Sequence, residues 1–528
     1  LFPFYGNIIL IQSVRGVLPM IRLIIDAEEI IMAKSIIIIG SGMGGLSAGI
    51  YGQMNGFDTR IYEMNHNPGG QCASWKREGY TFDACIHHLM GCAPETKMYR
   101  FWQEVGAMPA DLVYTKECVS VAASDGRIFY DYYDPDALEK HLCDISPKDS
   151  GVIREYVNGI RALSGYDMMG DMVTGNIPGM LAHLPAVFSN MKWFKITMEE
   201  FAKRFQDPFL QKAFPLLVYS NPEVPVFLHL MRHASGCRKD IAWPIGASAA
   251  FVSRMVNRYK ELGGQLYCRR KVVKILTENG KVAGVLLEDG TEEFSDFVIS
   301  DADGRKTLQE MLEGKYMDDR LRAYCAEPAD MSEFAVTVYL GVNRDLSQEP
   351  SSLILLLEQP VVLAGQKFMS LELQTYGYDK TMAPEGKGVI KAEFRSSYAY
   401  WKQLSERRED YNKEKKAVAD QVIRILETHF KGITNQVEAV DVSTLLTWER
   451  FMGGTHGFSN APNKKPDFLG SMFSNKDMTV AGLENFYFAG IWATSAGALF
   501  LNAMSGKKAI KKICRKNGQK FRIDTNKK

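Results

Sequence analysis

Residues 35–45 read Ser35-Ile36-Ile37-Ile38-Ile39-Gly40-Ser41-Gly42-Met43-Gly44-Gly45. The isoleucine run is too short for a buried helix and has the composition of a strand covered on both faces. It stops at a glycine cluster. A helical stretch from Leu46 to Asn55 follows and ends at Gly56; a second strand runs from Asp58 to Tyr62 and closes on Glu63. Strand, glycine-rich turn, helix and strand within about 30 residues make one βαβ unit. Gly40, Gly42 and Gly45 fit G-x-G-x-x-G, and Glu63 stands at the end of the next strand. That context turns a weak pattern into a dinucleotide fingerprint. Gly40 permits the tight turn, Gly42 lets backbone approach a pyrophosphate, and Gly45 lets helix and strand pack closely. The helix N-terminus offers unpaired N–H groups, and the Glu63 carboxylate can accept from both ribose hydroxyls. An acid there disfavours a 2′-phosphate.

Working outward, the character of the chain changes twice. From about residue 100 to 235 glycine turns thin out and methionines and aromatics increase, so the segment reads as mostly helical; it supplies either a packed cap or an apolar tunnel. Nucleotide-domain features return with a helix at 249–262, closed by Gly263-Gly264, and strands at 272–275, 282–288 and 297–300. Residues 330–470 form a second mixed region with strand-like runs at 334–340 and 352–357. A short strand at 485–489 precedes a helix at 503–514. Two domains interleaved in sequence are therefore expected.

The double-glycine segment Pro68-Gly69-Gly70-Gln71, with Ser41 and Gly44 in the first turn, resembles the motif of flavin enzymes in the amine oxidase and phytoene desaturase superfamily. Those enzymes often carry Arg or Lys after the glycine pair; this chain has Gln71, with Lys76 and Arg77 as the nearest replacements. Val272-Val273-Lys274-Ile275 resembles the strand whose backbone holds adenine. Ser300-Asp301-Ala302-Asp303 is similar to the segment returning to the ADP portion. Phe488-Ala489-Gly490-Ile491-Trp492, then Gly497-Ala498 through Ser505-Gly506, resemble the C-terminal flavin motif, with Phe500 where Pro is frequent. The strings Gly79-Tyr80-Thr81-Phe82-Asp83-Ala84-Cys85-Ile86-His87, Ala383-Pro384-Glu385-Gly386-Lys387 and Thr447-Trp448-Glu449-Arg450-Phe451 look like the retinol saturase and phytoene-dehydrogenase-like branch.

The resemblance implies an α/β, p-hydroxybenzoate-hydroxylase-like fold. A Rossmann-type FAD domain (32–100, 236–330, 475–516) interleaves with a mixed α+β substrate domain (101–235, 331–474), between an extension at 1–31 and a basic tail at 517–528. It implies FAD as cofactor and hydride transfer at a C–C or C=C bond of an apolar, isoprenoid-like substrate. A flavin-dependent isomerase without net redox and a lipid-binding escort of the same fold are the alternatives. His87 and His88 are the candidate proton-handling residues; structural roles for both are the alternative. His229 and His233, four apart, share a helix face, and no third ligand stands beside them to make a metal site. Glu449 and Arg450 form either a polar element at the substrate cavity or an ordinary ion pair.

The 528 residues carry a formal net charge of +1, which gives no electrostatic footprint for nucleic acid. Nine scattered cysteines read as reduced thiols in a cytoplasmic protein. The longest uncharged run near the start, Leu1 to Val14, falls short of the roughly 20 residues of a membrane span. Met32 is the expected natural start, with a short interfacial helix over 1–31 as the other reading. Lys507, Lys508, Lys511, Lys512, Arg515 and Lys516 make the last helix basic, either as a solvated end or as a contact with anionic membrane.

Overall fold

A computed structural model describes residues 33–326, 335–457, 478–494 and 498–523. The extension at 1–31 and the end of the basic tail, residues 524–528, lie outside these. The run at 35–39 forms strand β1 (Ser35–Ile39), and Ile36, Ile37 and Ile38 have no exposed surface. Helix α1 (Met43–Met54) starts three residues earlier than the sequence suggests, inside the glycine cluster, and strand β2 (Asp58–Glu63) follows. Three distant segments complete the sheet: β3 (Gln265–Cys268), β4 (Phe297–Ser300) and β5 (Phe486–Phe488). The order is β3-β2-β1-β4-β5 and every pairing is parallel. Strand order reverses beside β1, and a ligand crevice is expected outside the carboxyl ends of the strands at such a switch point.

Helix α2 (Leu499–Lys516) packs along α1 at backbone distance. A Cβ on Gly506 would lie 2.2 Å from the Gly44 carbonyl oxygen and 2.5 Å from the Ala48 nitrogen. Only glycine permits this crossing.

The second unit is a seven-stranded mixed sheet in the order Val437–Ser443, Ala335–Val342, Gly388–Arg395, Gln366–Thr375, Ser352–Leu363, Glu117–Ala122, Ile128–Tyr132. Its last two strands come from the segment read as mostly helical. Cys118-Val119-Ser120-Val121-Ala122 and Ile128-Phe129-Tyr130-Asp131-Tyr132 flank the turn at Asp125-Gly126, and β-branched and aromatic residues favour a hairpin there. The helix Arg408–His429 covers one part of this sheet with Val418, Val422 and Leu426. The remaining 135–237 segment is helical, and Trp193, Phe201, Phe205, Phe209 and Phe214 are buried in its core. Those aromatics are packing; the tunnel reading does not apply to them.

Gly506→Ala is expected to cost at least about 2 kcal/mol, because both clashing atoms are backbone that has no room to retreat. Gly151→Ala, in a helix with open space around the added methyl, is the control and should be neutral or stabilising by up to about 1 kcal/mol. Urea unfolding of the two variants checks the contrast; equal effects would remove the close-approach argument.

Candidate functional site

A crevice of about 420 Å³ opens at the switch point. Its floor is the first turn, with Gly40, Ser41 and Gly42; its sides carry Glu63, Gly69, Gly70, Gln71, Val272, Val273, Asp301 and Gly490. The structure thus brings together eleven of the residues singled out in four separate parts of the sequence. Gly40 has φ +92°, and a Cβ there would meet the Asp301 carbonyl carbon and oxygen at 3.3 Å. Gly45 and Gly44 lie beneath the turn. Their missing side chains would strike Gly40 O at 2.1 Å and Gly490 N at 2.3 Å, so both set the shape of the floor from behind.

Glu63 is buried and its carboxylate is held from two sides. Ser41 donates through N–H at 3.0 Å and through Oγ at 2.7 Å to Oε2, and Asn65 N–H donates to Oε1 at 2.8 Å. The acid at the end of β2 is therefore oriented toward the glycine turn before any ligand arrives. Across the crevice, Val273 has no residue opposite it. Val272 pairs with Leu287 and Lys274 with Leu286, leaving Val273 as the extra residue of a bulge. A bulge frees backbone polar groups from a ladder, which suits recognition of a flat base by main chain.

Asp301 stands at the centre of the glycines. Its Oδ2 accepts from Gly45 N–H at 2.8 Å, and its carboxyl is the group that Cβ atoms on Gly42, Gly44 or Gly490 would first or next meet. Burial pushes this carboxyl up to about 7, the neighbouring Glu63 adds to the rise, and the N–H donors of Gly45 and Gly42 oppose it.

Other residues fall elsewhere. Trp492 does not line the crevice. It is buried in the core with Val272 and Phe488, and its ring would meet a Cβ on Gly304 at 1.9 Å. Ala498 is the exposed cap residue of α2; Leu499 and Asn502, one turn inside, reach the crevice wall. Gly497 lies outside the described residues. Lys76 does not line the crevice, and Arg77 pairs with Asp441 at 3.3 Å. The basic side chains on the wall are Lys271, Lys306 and Arg450, and Glu449 joins them. Lys306 gave no motif signal in the sequence, whereas Leu499 and Asn502 fall within the 497–506 segment likened to the C-terminal flavin motif. Lys306 follows β4 closely, and Leu499 and Asn502 stand in the first turn of α2.

His87 and His88 face a second, smaller chamber of about 40 Å³, lined also by Tyr219, Arg232, Glu372, Gln374 and Glu393. Cys85 lies on the crevice wall and His87 on the chamber wall, so one short segment separates the two spaces. Gln374 donates its side-chain amide to His87 Nδ1, and Glu393 lies 3.9 Å from Nε2. Burial lowers His87 to about 4, and Lys391 and Arg232 add to that effect against Glu393. His88 is held well below its ordinary value by burial and by Arg232. Both rings are neutral near pH 7. His229 and His233 turn to one partner, Asp131, at 3.3 and 3.1 Å, and all three side chains are wholly buried. Burial opposes a charge on His233, but Asp131 outweighs it and raises the ring to about 9. Cys72 and Cys85 meet at 3.4 Å as free thiols on the crevice wall.

A parallel sheet with a glycine-floored crevice at its switch point, joined to a curled mixed sheet, defines the Rossmann-type dinucleotide-binding class. The family model of the NAD(P)-binding Rossmann-like domain matches residues 38–105. Phytoene desaturase (lycopene-forming) of Pantoea ananas is 23% identical over 90% of this chain and 98% of its own length. The same-named enzyme of Pseudescherichia vulneris is 26% identical over 60% of this chain, a match that spans 65% of the relative. Prolycopene isomerase 1 of an Oncidium hybrid is 24% identical over 84% and 77% of the two chains. An oxidoreductase from Methanosarcina mazei of known structure superimposes with a TM-score of 0.58 at 16% identity, over 90% of this chain and all of that one. The chain is similar to phytoene desaturases and prolycopene isomerases over most of its length.

Asp301 carries a testable linkage. In the fold it keeps its proton up to about pH 7, whereas an unfolded aspartate releases it near 4. Between those values the folded state binds more protons, so this group lowers stability as pH rises. Asp301→Asn should therefore gain stability over the parent on going from pH 4 to pH 7.5, by at most about 4 kcal/mol. Urea denaturation at both pH values measures the difference, and a flat difference would mean the carboxyl is ionised in the fold.

Proposed function

We propose that the chain is an FAD-dependent oxidoreductase acting on a C–C or C=C bond of an apolar, isoprenoid-like substrate. The observation that carries this is the convergence of the first turn, the oriented Glu63, the 69–71 segment, the Val273 bulge and Gly490 on one crevice. The donor set suits the cofactor: an acid for ribose hydroxyls, glycine backbone and a helix N-terminus for pyrophosphate, unpaired main chain for a base. Bound FAD would supply a two-electron carrier for hydride transfer. Ser41 fixes the Glu63 carboxylate, Lys306 and Arg450 add positive charge along the wall, and the α2 N-terminus directs backbone N–H groups to the far end. His87, neutral and hydrogen-bonded to Gln374, is the candidate for holding or passing a proton on the substrate side, with Glu393 and Lys391 behind it at 3.9 and 3.1 Å along the chain of contacts. The prolycopene isomerases among the relatives favour one second reading, isomerisation without net redox. Product of unchanged mass would distinguish it.

Glu63→Ala should weaken FAD retention by about tenfold or more, the loss of charge-assisted hydrogen bonds to the ribose. The absorption spectrum of the purified protein and a fluorescence titration with FAD measure it. A colourless protein that cannot be reconstituted would end the flavin reading. His87→Gln should leave the flavin spectrum intact and reduce turnover at least about tenfold; unchanged turnover would assign the ring a packing role.

No helix among the described residues is long and apolar enough to cross a membrane. Peripheral contact is proposed through the short helices Ile177–Ala182 and Leu184–Ser189, where Ile177, Leu181 and Phe188 are exposed at 67, 59 and 65%, with Met191 just beyond them at 49%. The basic last helix is a weaker candidate, since Lys507 pairs with Glu104 and Lys516 with Glu484. Leu181→Glu with Phe188→Glu should abolish co-sedimentation with phosphatidylglycerol vesicles and spare FAD binding; unaltered sedimentation would exclude this face.

A further inference from the structure

The small chamber beside the crevice has two kinds of wall. Val119, Leu216, Leu217, Trp243, Leu353 and Ile354 are apolar, while Arg232, Glu372, Gln374, Glu393 and His87 bring polar groups to the same space. The basic groups are not equally matched. Lys391, fully buried, is paired with Glu393 at 3.1 Å. Arg232 has no such partner: among the described residues no carboxylate forms an ion pair with it, its Nε is enclosed without a hydrogen-bond partner, and its Nη1 reaches only the Leu217 carbonyl at 3.4 Å. A guanidinium stays charged at any ordinary pH, so this is a permanent positive charge with no carboxylate in direct contact, and Asp131 acts on it only from its place between His229 and His233.

Two neighbours sharpen the point. Glu372 shares the wall, yet burial and the adjacent Glu393 push its carboxyl up toward the neutral form against Ser220, Arg395 and Arg232. Tyr219 lies under the guanidinium, 5.2 Å from the centre of its ring. The turn that delivers Tyr219 is strained: Tyr219 and Ser220 have φ +50° and +45°, a left-handed pair of non-glycine residues. Such strain costs on the order of 1 kcal/mol or more per residue and persists where the surroundings enforce it. A space of 40 Å³ takes a few waters or a carboxylate-sized group.

We propose that Arg232 is the anchor for an anionic end group, a carboxylate, on a substrate whose remainder is apolar. The planar fork of the guanidinium matches a carboxylate with two parallel hydrogen bonds. The apolar wall takes the first carbons of the chain, and the substrate lies with its polar end at Arg232 and its body toward the crevice across the 85–87 segment. This deepens the reading of the chain as an enzyme on an apolar substrate and rests on it. It narrows that substrate from a hydrocarbon to an amphipathic acid.

The test compares geranylgeranoic acid with geranylgeraniol, which differ only in the end group, by isothermal titration into the full chain. The acid should bind at least about tenfold tighter than the alcohol, the gain of a charge-assisted bidentate contact. Arg232→Gln should remove that preference and leave the alcohol unchanged. Glu372→Gln, which keeps the guanidinium and takes away a group that could compete for it as a carboxylate, should increase the preference. That variant decides the matter if Arg232→Gln fails to give a cooperative melt. Equal binding of acid and alcohol, a preference indifferent to both substitutions, or acetate binding as tightly as the long acid would each overturn the proposal. Flavin absorbance read in the same samples separates the two levels. Lost preference in a yellow protein defeats the anchor alone, and a colourless protein that still prefers the acid defeats the flavin reading alone.

Discussion

Main chain meets main chain without side chains between, and the rest of the site depends on that contact. Gly45 against Gly40, Gly44 against Gly490 and Gly506 against Gly44 are approaches in which a single methyl would sit 2.1–2.3 Å from a backbone atom. Together they draw the first turn, the 490 turn and α2 into one cluster. The crevice floor is shallow because nothing projects from it, and Asp301 and Glu63 can approach the N–H groups of residues 41 and 45 only because those positions leave room. The geometry suited to an anionic ligand and the packing that holds α1 to α2 are one constraint.

The nucleotide half was legible because its signals are local. A glycine turn with an acid at the end of the next strand depends on spacings of a few tens of residues, and β1, β2 and β4 lie where the pattern placed them. The hairpin formed by Glu117–Ala122 and Ile128–Tyr132 was missed because its neighbours in sequence are helical; its strand partner, Ser352–Leu363, lies more than 200 residues away. The histidines illustrate the same limit. Proximity in sequence to the double-glycine segment made His87 and His88 candidates for the cofactor side. A short segment without regular structure turns them the other way, into a chamber whose remaining walls come from the 216–232 region and the curled sheet. Lys391 and Arg232 carry no motif, and only the fold reveals that one is matched and the other is not.

Polarity inside the substrate half is concentrated. The Asp131, His229 and His233 cluster is wholly buried and self-contained, with an acid placed between two rings. Lys391 and Glu393 satisfy one another. Buried charges in this half are therefore paired, as the cost of isolating them requires. Arg232, on the same helix as both histidines, departs from that rule where the wall opens onto a space. The contrast separates a structural use of charge from a use that waits for a ligand.

The parallel sheet is assembled from residues 35–63, 265–300 and 486–488, so its last strand emerges from the ribosome long after the other four. The cap helices and most of the curled sheet are exposed long before then. The edge of β4 stays open through this interval, a template for unwanted pairing until β5 arrives. The crevice takes its final shape only once this late segment is made, because Gly490 and α2 complete its wall. A chain stalled or truncated before residue 486 would hold the fingerprint intact and still lack a closed crevice.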